Sequence, residues 1–212
     1  MKNKELFWEK KYGVKLVVAT KNKGKFAEFK ESLFDLGLHI LSLDECTPGY
    51  PKIKEDGETF EENAIKKATI IARYTKLLTA ADDSGLEVNA LGGNPGVFSS
   101  RYAGYEGDDL KNNLKLLENL KGVPFPERKG RFTCVIAVAT PDGKTDIVKG
   151  ICDGYILEEM RGTGGFGYDC LFFIEHIGKT LAEINLKTKN MISHRGIALR
   201  NLKLILPKYI MS

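Results

Sequence analysis

Long apolar runs are missing from this chain: no stretch approaches the ~18 consecutive apolar residues of a membrane-spanning helix, so association with a membrane is not expected. Cysteine is scarce, with four in 212 residues. Cys46, Cys134, Cys152 and Cys170 are widely separated and form no Cys-x-x-Cys pair, which excludes a familiar zinc site and a compact disulfide framework. Residues 1–13 are charged and lack the apolar centre of a signal peptide, so a cytoplasmic location is expected. Internal repeats and low-complexity linkers are also missing. A dense basic cluster is missing too: 32 Lys and Arg against 28 Asp and Glu leave a net charge of only +4. That balance suits a small polyanionic ligand and argues against nucleic-acid binding.

What is present is the composition of a globular protein, 42% hydrophobic and 28% charged. The expectation is a single domain spanning residues 1–212, with residues 1–13 as an N-terminal extension. A chain of this length can bury roughly 70 per cent of its unfolded surface. The pattern alternates α and β. Val14–Ala19 reads as a strand, followed by a helix with Phe26, Phe29, Leu33 and Leu36 on one face, and Leu38–Leu43 reads as a second strand. Thr59 and Glu62 form a capping box for a helix through about Leu78, with Ile65, Ile71, Tyr74 and Leu78 on its buried side. Asp108 or Asp109 caps a helix whose apolar stripe is Leu110, Leu114 and Leu117, stopped by Gly122. Arg131–Thr140 and Thr145–Cys152 alternate around Pro141–Lys144, a hairpin turn. Helices early and late with antiparallel strands between predict an α/β fold on a mixed sheet.

Four segments carry chemistry. Ala81-Asp82-Asp83-Ser84-Gly85-Leu86 leaves an apolar run and precedes the glycine-rich Leu91–Val97. Paired carboxylates there suit a strand end where acids hold a divalent metal, although a plain chain-reversing turn has the same composition. Thr20-Lys21-Asn22-Lys23-Gly24-Lys25 joins a strand to a helix start, the arrangement that offers backbone N–H groups and lysine charge to phosphate. It is not a Walker A loop, and a solvated lysine-rich turn is the alternative. Gly162, Gly164 and Gly167 spell Gly-x-Gly-x-x-Gly, but they run into a strand, Leu171–Ile174, and do not open a helix. A dinucleotide fingerprint is therefore excluded. What is left is a flexible loop with Phe166, Tyr168 and Asp169, able to grip a planar ring. Ser193 caps a final helix carrying Ile197, Ala198, Leu202, Ile205 and Leu206, ended by Pro207. His194 and Arg195 fall in its first turn, where cations oppose the helix dipole and would serve a bound anion or an acceptor oxygen.

Taken together with Glu55-Asp56-Gly57-Glu58-Thr59-Phe60, which leads into Glu62-Asn63-Ala64, these segments appear in an order that resembles the inosine triphosphate pyrophosphatase family. Its members act on noncanonical purine nucleoside triphosphates as dITP/XTP pyrophosphatases. The resemblance covers about residues 14–206. It implies a two-lobed α/β fold, a central mixed sheet flanked by helices with the substrate in a cleft between lobes, assembled as a homodimer. The implied reaction is hydrolysis of ITP, dITP or XTP to the monophosphate and pyrophosphate, which cleanses the nucleotide pool. Mg²⁺ is the implied cofactor.

The family pattern places Asp83 as metal ligand and general base, with Asp82 supporting from behind or serving structure alone. Thr20, Lys21, Asn22, Lys23, Gly24 and Lys25 would hold the triphosphate, with Lys67 and Lys189 as further cations. Ser84, Phe166, Gly167, Tyr168, Asp169, His194 and Arg195 would complete the substrate site, Arg195 donating to the 6-oxo group. One departure is Lys54, which stands where the family carries its first acid, so Glu55 is expected to take over as second metal ligand. Another is Cys170, where the family has proline. Other readings of the same residues are a pyrophosphatase for pyrimidine or modified nucleotides, or a nucleotide-binding regulator without catalysis.

Overall fold

The computed structural model describes residues 13–46 and 49–210. The expected N-terminal extension, apart from Gly13, lies outside the described residues. The strands are β1 (Lys15–Val18), β2 (His39–Ser42), β3 (Leu78–Val88), β4 (Lys129–Ala139), β5 (Thr145–Ile156), β6 (Phe172–Ile174) and β7 (Lys179–Thr180). Among the described residues they form one sheet in the order β2-β1-β3-β4-β5-β6-β7. The longer helices are α1 (Lys23–Leu33), α2 (Phe60–Thr75), α3 (Asp109–Asn119), α4 (Leu186–Ile192) and α5 (His194–Ile205). β1 runs parallel to β2 and β3, whereas β6 is antiparallel to β5 and β7, so the sheet is mixed. Among the described residues no helix is long and apolar enough to cross a membrane. The four cysteines are free thiols.

Local chemistry accounts for most elements. Leu16, Val17 and Val18 of β1 are fully buried, as a parallel strand covered on both faces requires. The turn into α1 is closed by Asn22, whose Oδ1 accepts from the Lys25 N–H at 3.0 Å, and the helix buries Phe29 and Leu33. The chain then ends a short 3₁₀ turn on Gly37 at φ 63°, a conformation glycine adopts without steric cost. β4 and β5 are joined by the Pro141–Lys144 turn, with Thr140 N–H donating to the Lys144 carbonyl at 3.0 Å.

Three expectations change. Asp82 and Asp83 lie inside β3, which continues through Ser84 and Gly85 to Val88, so they stand neither at a strand end nor in a turn. α2 stops at Thr75 because Lys76 turns into the left-handed region at φ 60°, and Leu78 begins the next strand. Its buried face is Ala64, Lys67, Ala68, Ile71 and Ala72, while Tyr74 is exposed. The N-cap half of its box forms, Thr59 accepting from Glu62 N–H, but the Glu62 carboxylate accepts from Glu58 N–H in place of Thr59. Finally, α3 is capped by Asp108 as expected, yet it buries Asn112, Asn113 and Leu116 and leaves Leu110 and Leu114 in solvent.

The described residues divide into two compact units. The first comprises the described residues up to Asp83, Val135–Val148 and those from Ala198 onward; the second comprises Ser84–Cys134 and Lys149–Ile197. The second has a core of Leu86, Val88, Leu116, Leu120, Phe132, Ile156, Leu171, Phe172, Ile174 and Leu181 among others, and its Phe132 and Phe172 rings lie 4.5 Å apart. Beside that core the buried Arg128 guanidinium donates to the carbonyls of Leu120, Val123 and Leu157 at 2.9, 2.8 and 3.2 Å. Such multiple bonding offsets the cost of burying the charge.

Candidate active site

In the first unit the chemistry gathers on β3 and α2. Successive strand residues point to opposite faces, so Asp82 and Asp83 meet different partners. Asp82 is buried and pairs with Lys25 of α1, Nζ to Oδ2 at 3.0 Å. Asp83 accepts from Lys67 Nζ on Oδ1 at 3.1 Å and from Asn63 Nδ2 on Oδ2 at 3.1 Å. Lys67 also donates to Glu55 Oε1 at 2.9 Å. One ammonium group thus bridges two carboxylates that are 28 residues apart in sequence. Lys54 stays in solvent, its side chain 84% exposed and 3.9 Å from Asp56, which also pairs with Lys66.

Asn63 and Lys67 are one helical turn apart on α2 and so face the same way. The Asn63 amide is oriented by its other end, where Oδ1 accepts from the Gly57 N–H at 2.9 Å. A Cβ on residue 57 would fall 2.8 Å from that oxygen, which explains the glycine. Sequence reasoning gave Asn63 no role. The available signal was an amide one turn before a lysine on the face of α2 that carries Ala64, Ala68 and Ile71.

Burial pushes the Asp83 carboxyl above the ordinary carboxylate range, against the pull of Lys67 and Lys25. Burial works equally against the Lys67 charge, but the Asp83, Glu55 and Asp82 carboxylates outweigh it and hold the ammonium above the ordinary lysine range. Asp83 is therefore a stronger base than a surface carboxylate, and Lys67 is a fixed cation.

The Asp83 and Glu55 oxygens form a hard donor set. Among the described residues no three His, Cys, Asp or Glu side chains are gathered into a metal cage. Two carboxylates without a third suit an ion that takes its other ligands from water and phosphate oxygens, which is the habit of Mg²⁺. The residues fit such an ion.

The Thr20–Lys25 turn leaves Lys21 and Lys23 in solvent and shapes its backbone by the Asn22 N–H to Thr20 Oγ1 contact at 3.2 Å and the Asn22 cap. Lys21 Nζ lies 5.4 Å from the Tyr50 ring centroid. Gly24 sits at the second position of α1, where N–H groups have no partner within the helix.

The second unit assembles the remaining predicted residues. Lys189, from α4, pairs with Asp169 at 2.6 Å, both side chains 4% exposed. Its Nζ lies 4.5 Å from the Phe166 ring centroid, and the Arg195 guanidinium lies 5.4 Å from the same ring. Arg195 donates from Nη2 to Ser84 Oγ at 2.8 Å. Lys189 thus joins the aromatic group of the second unit. His194 is buried and stacks on Phe132, centroids 4.5 Å apart and planes 9° off parallel. Tyr168 is buried in the core, its hydroxyl donating to the Ser99 carbonyl at 2.9 Å.

The glycine loop is not the flexible segment expected. Asp169 Oδ2 accepts from the Phe166 N–H at 2.9 Å, and Gly164 N–H donates to the Ala182 carbonyl at 3.0 Å. Cβ atoms on residues 162 and 165 would meet Ala182 backbone at 2.6 Å and the Asp169 carboxylate at 2.1 Å. The glycines permit close packing.

These residues fall in a stretch that is recognised as a whole. The model of the Ham1 family matches residues 16–205. The chain belongs to the Ham1 family. A dITP/XTP pyrophosphatase of Desulforamulus reducens is 52% identical over 187 residues, covering 88% of this chain and 92% of that protein. One from Geobacter sulfurreducens is 52% identical over 189 residues, covering 89% and 94%. Among solved structures, a HAM1 protein from Coxiella burnetii is similar with a TM-score of 0.82 at 42% identity, covering 92% of this chain and 99% of that one. The Ham1 protein of Staphylococcus aureus gives 0.80 at 39% identity, with the same coverage. Ham1 membership accounts for the α/β architecture on a mixed sheet.

Proposed function

We propose that the chain hydrolyses noncanonical purine nucleoside triphosphates (ITP, dITP and XTP) to the monophosphate and pyrophosphate. The observation that carries this reading is the Lys67 ammonium bridging Asp83 and Glu55, with Asn63 donating to Asp83, in a chain half identical to proteins named dITP/XTP pyrophosphatase. Residues 1–212 serve as one such domain, acting on the cytoplasmic pool of free nucleotides and neither on nucleic acid nor at a membrane.

In this mechanism Lys23, Lys25 and the N–H groups of Thr20–Lys25 neutralise the triphosphate. Asp83 and Glu55 would hold Mg²⁺, which when bound would supply Lewis-acid chemistry to the triphosphate. Asp83 accepts one proton from the attacking water on a carboxylate oxygen. The water oxygen bonds to the α-phosphorus, the bond from that phosphorus to the α–β bridging oxygen breaks, and pyrophosphate leaves. Burial makes Asp83 a stronger proton acceptor than a surface carboxylate. Phe166, Gly167, Asp169, Lys189 and Arg195, with Ser84, His194 and Tyr168 behind them, receive the base. Arg195 donates to the 6-oxo group, where adenine offers a donor of its own. A mismatch of that kind costs ~1–3 kcal/mol per unpaired buried group, or about 5–150-fold in selectivity.

The protein acts as a homodimer. Support comes from α3, whose Leu110 and Leu114 are 61% and 52% exposed near an equally exposed Phe98 (54%), a face that gains from being covered by a second copy.

Pyrophosphate release from ITP, dITP, XTP and ATP across a Mg²⁺ titration tests the reading. Release from the first three well above ATP, dependent on the ion, is expected. Background release from all four would end it.

A further inference from the structure

The Phe166 loop is pinned by a helix that sequence reasoning assigned only a packing role. Gly167 presents its N–H to Asp109 Oδ2 at 2.7 Å and its carbonyl to Asn113 Nδ2 at 2.8 Å. Asp109 and Asn113 lie one turn apart on α3, so a single helix face grips both polar groups of one residue. Gly167 is in the left-handed region at φ 61°, a conformation that other residues adopt at a cost and that the two grips hold in place.

α3 makes this grip against its own hydrophobic interest. It turns Asn112 and Asn113, 2% and 3% exposed, inward and leaves Leu110 and Leu114 outside. Asn112 secures the preceding loop, accepting from Ala103 N–H at 2.7 Å and donating to the Ser100 carbonyl at 3.2 Å. Asn113 donates to Gly167 and to the Asp109 carbonyl of its own helix at 2.8 Å. Its Oδ1 is buried with no hydrogen-bond partner among the described residues. A buried acceptor left unmatched is costly, so Asn113 is not placed here by packing alone.

We propose that Asn113, aided by Asp109, is a positioning residue for base selection. By fixing the Gly167 backbone it fixes how the adjacent Phe166 ring, flanked by Lys189 and Arg195, meets the purine. The proposal rests on the reading that this loop receives the base.

Steady-state pyrophosphate release from ITP and ATP by wild-type protein, Asn113→Leu and Asp109→Ala decides it, with melting temperatures recorded for each. In Asn113→Leu, KM for ITP should rise about tenfold while kcat stays within about threefold, and the ITP-to-ATP ratio of kcat/KM should narrow. Equal losses for both nucleotides, or an unchanged ratio, overturn the proposal, since a purely structural role does not distinguish the two bases. If Asn113→Leu does not fold, the exposed Asp109 decides the matter: a narrowed ratio in Asp109→Ala supports the proposal and an unchanged ratio overturns it. Failure of the wild type to hydrolyse ITP is a separate outcome, which removes the reading of the site and this proposal with it.

Discussion

Asp82 and Asp83 are chain neighbours with separate tasks, because the strand pleat sends them to Lys25 and Lys67 respectively. Asp83→Asn keeps the shape but has one acceptor oxygen where Asn63 and Lys67 both donate, and it removes the base and an anionic metal ligand. It should lower kcat by at least ~10²-fold while the chain still folds; near-normal turnover would remove Asp83 from the mechanism. Asp82→Asn leaves Lys25 facing a neutral amide, but the Lys25 side chain is 18% exposed and reaches water. Its expected cost is about 1–3 kcal/mol of stability, read in a urea melt, with a milder fall in kcat. Glu55 is tied to Asp83 through the Lys67 ammonium. Glu55→Gln should raise the Mg²⁺ concentration for half-maximal rate several-fold, whereas the solvent-exposed Lys54→Glu should leave it unchanged or lower it. An unaltered titration in Glu55→Gln would shift the ion to Asp83 alone or to Asp56.

Helix and strand starts were legible because caps are local. Thr59, Asp108 and Ser193 each accept a backbone N–H three residues on, a contact that depends on nothing distant, and Asn22, which the sequence does not single out as a cap, does the same. Helix faces were less legible. Periodicity counts apolar residues but does not know what faces them, so Leu110 and Leu114 were read as buried when the helix had asparagines to place. The acids of β3 look in the sequence like a strand end because carboxylates are rare within buried strands. Two lysines brought from α1 and α2 make the interior tolerable, and only the tertiary structure shows them. Asp83, Lys67 and Arg195 stand out in the sequence by type, whereas Asn63 and Asn113, whose amides hold Asp83 and Gly167, do not. The junction of α4 and α5 gives a test at this scale. A Cβ on residue 196 would lie 1.9 Å from the Asn190 carbonyl oxygen, a contact with backbone that cannot give way. Gly196→Ala should therefore lose more than about 3 kcal/mol or fail to accumulate in soluble form.

At the scale of the molecule, the net charge of +4 and the exposed face of α3 bear on assembly. If a second copy covers Leu110 and Leu114, a charge placed there is costly in the dimer and harmless in the monomer. Leu114→Glu should shift sedimentation from dimer to monomer at micromolar concentration without lowering the melting temperature of the subunit. Unchanged sedimentation in a dimeric protein would place the contact elsewhere.

Glu127-Arg128-Lys129 looks in the sequence like a run of interchangeable surface charge, and a charge scan would treat it so. Arg128 is nevertheless 4% exposed and satisfies three carbonyls at once. A lysine there carries the same charge but lacks the planar fork needed to reach all three. Genetically, this conservative exchange belongs with the temperature-sensitive alleles: a strain carrying Arg128→Lys would grow with a working enzyme in the cold and lose it in the heat, while its neighbours Glu127 and Lys129 tolerate the same kind of change silently.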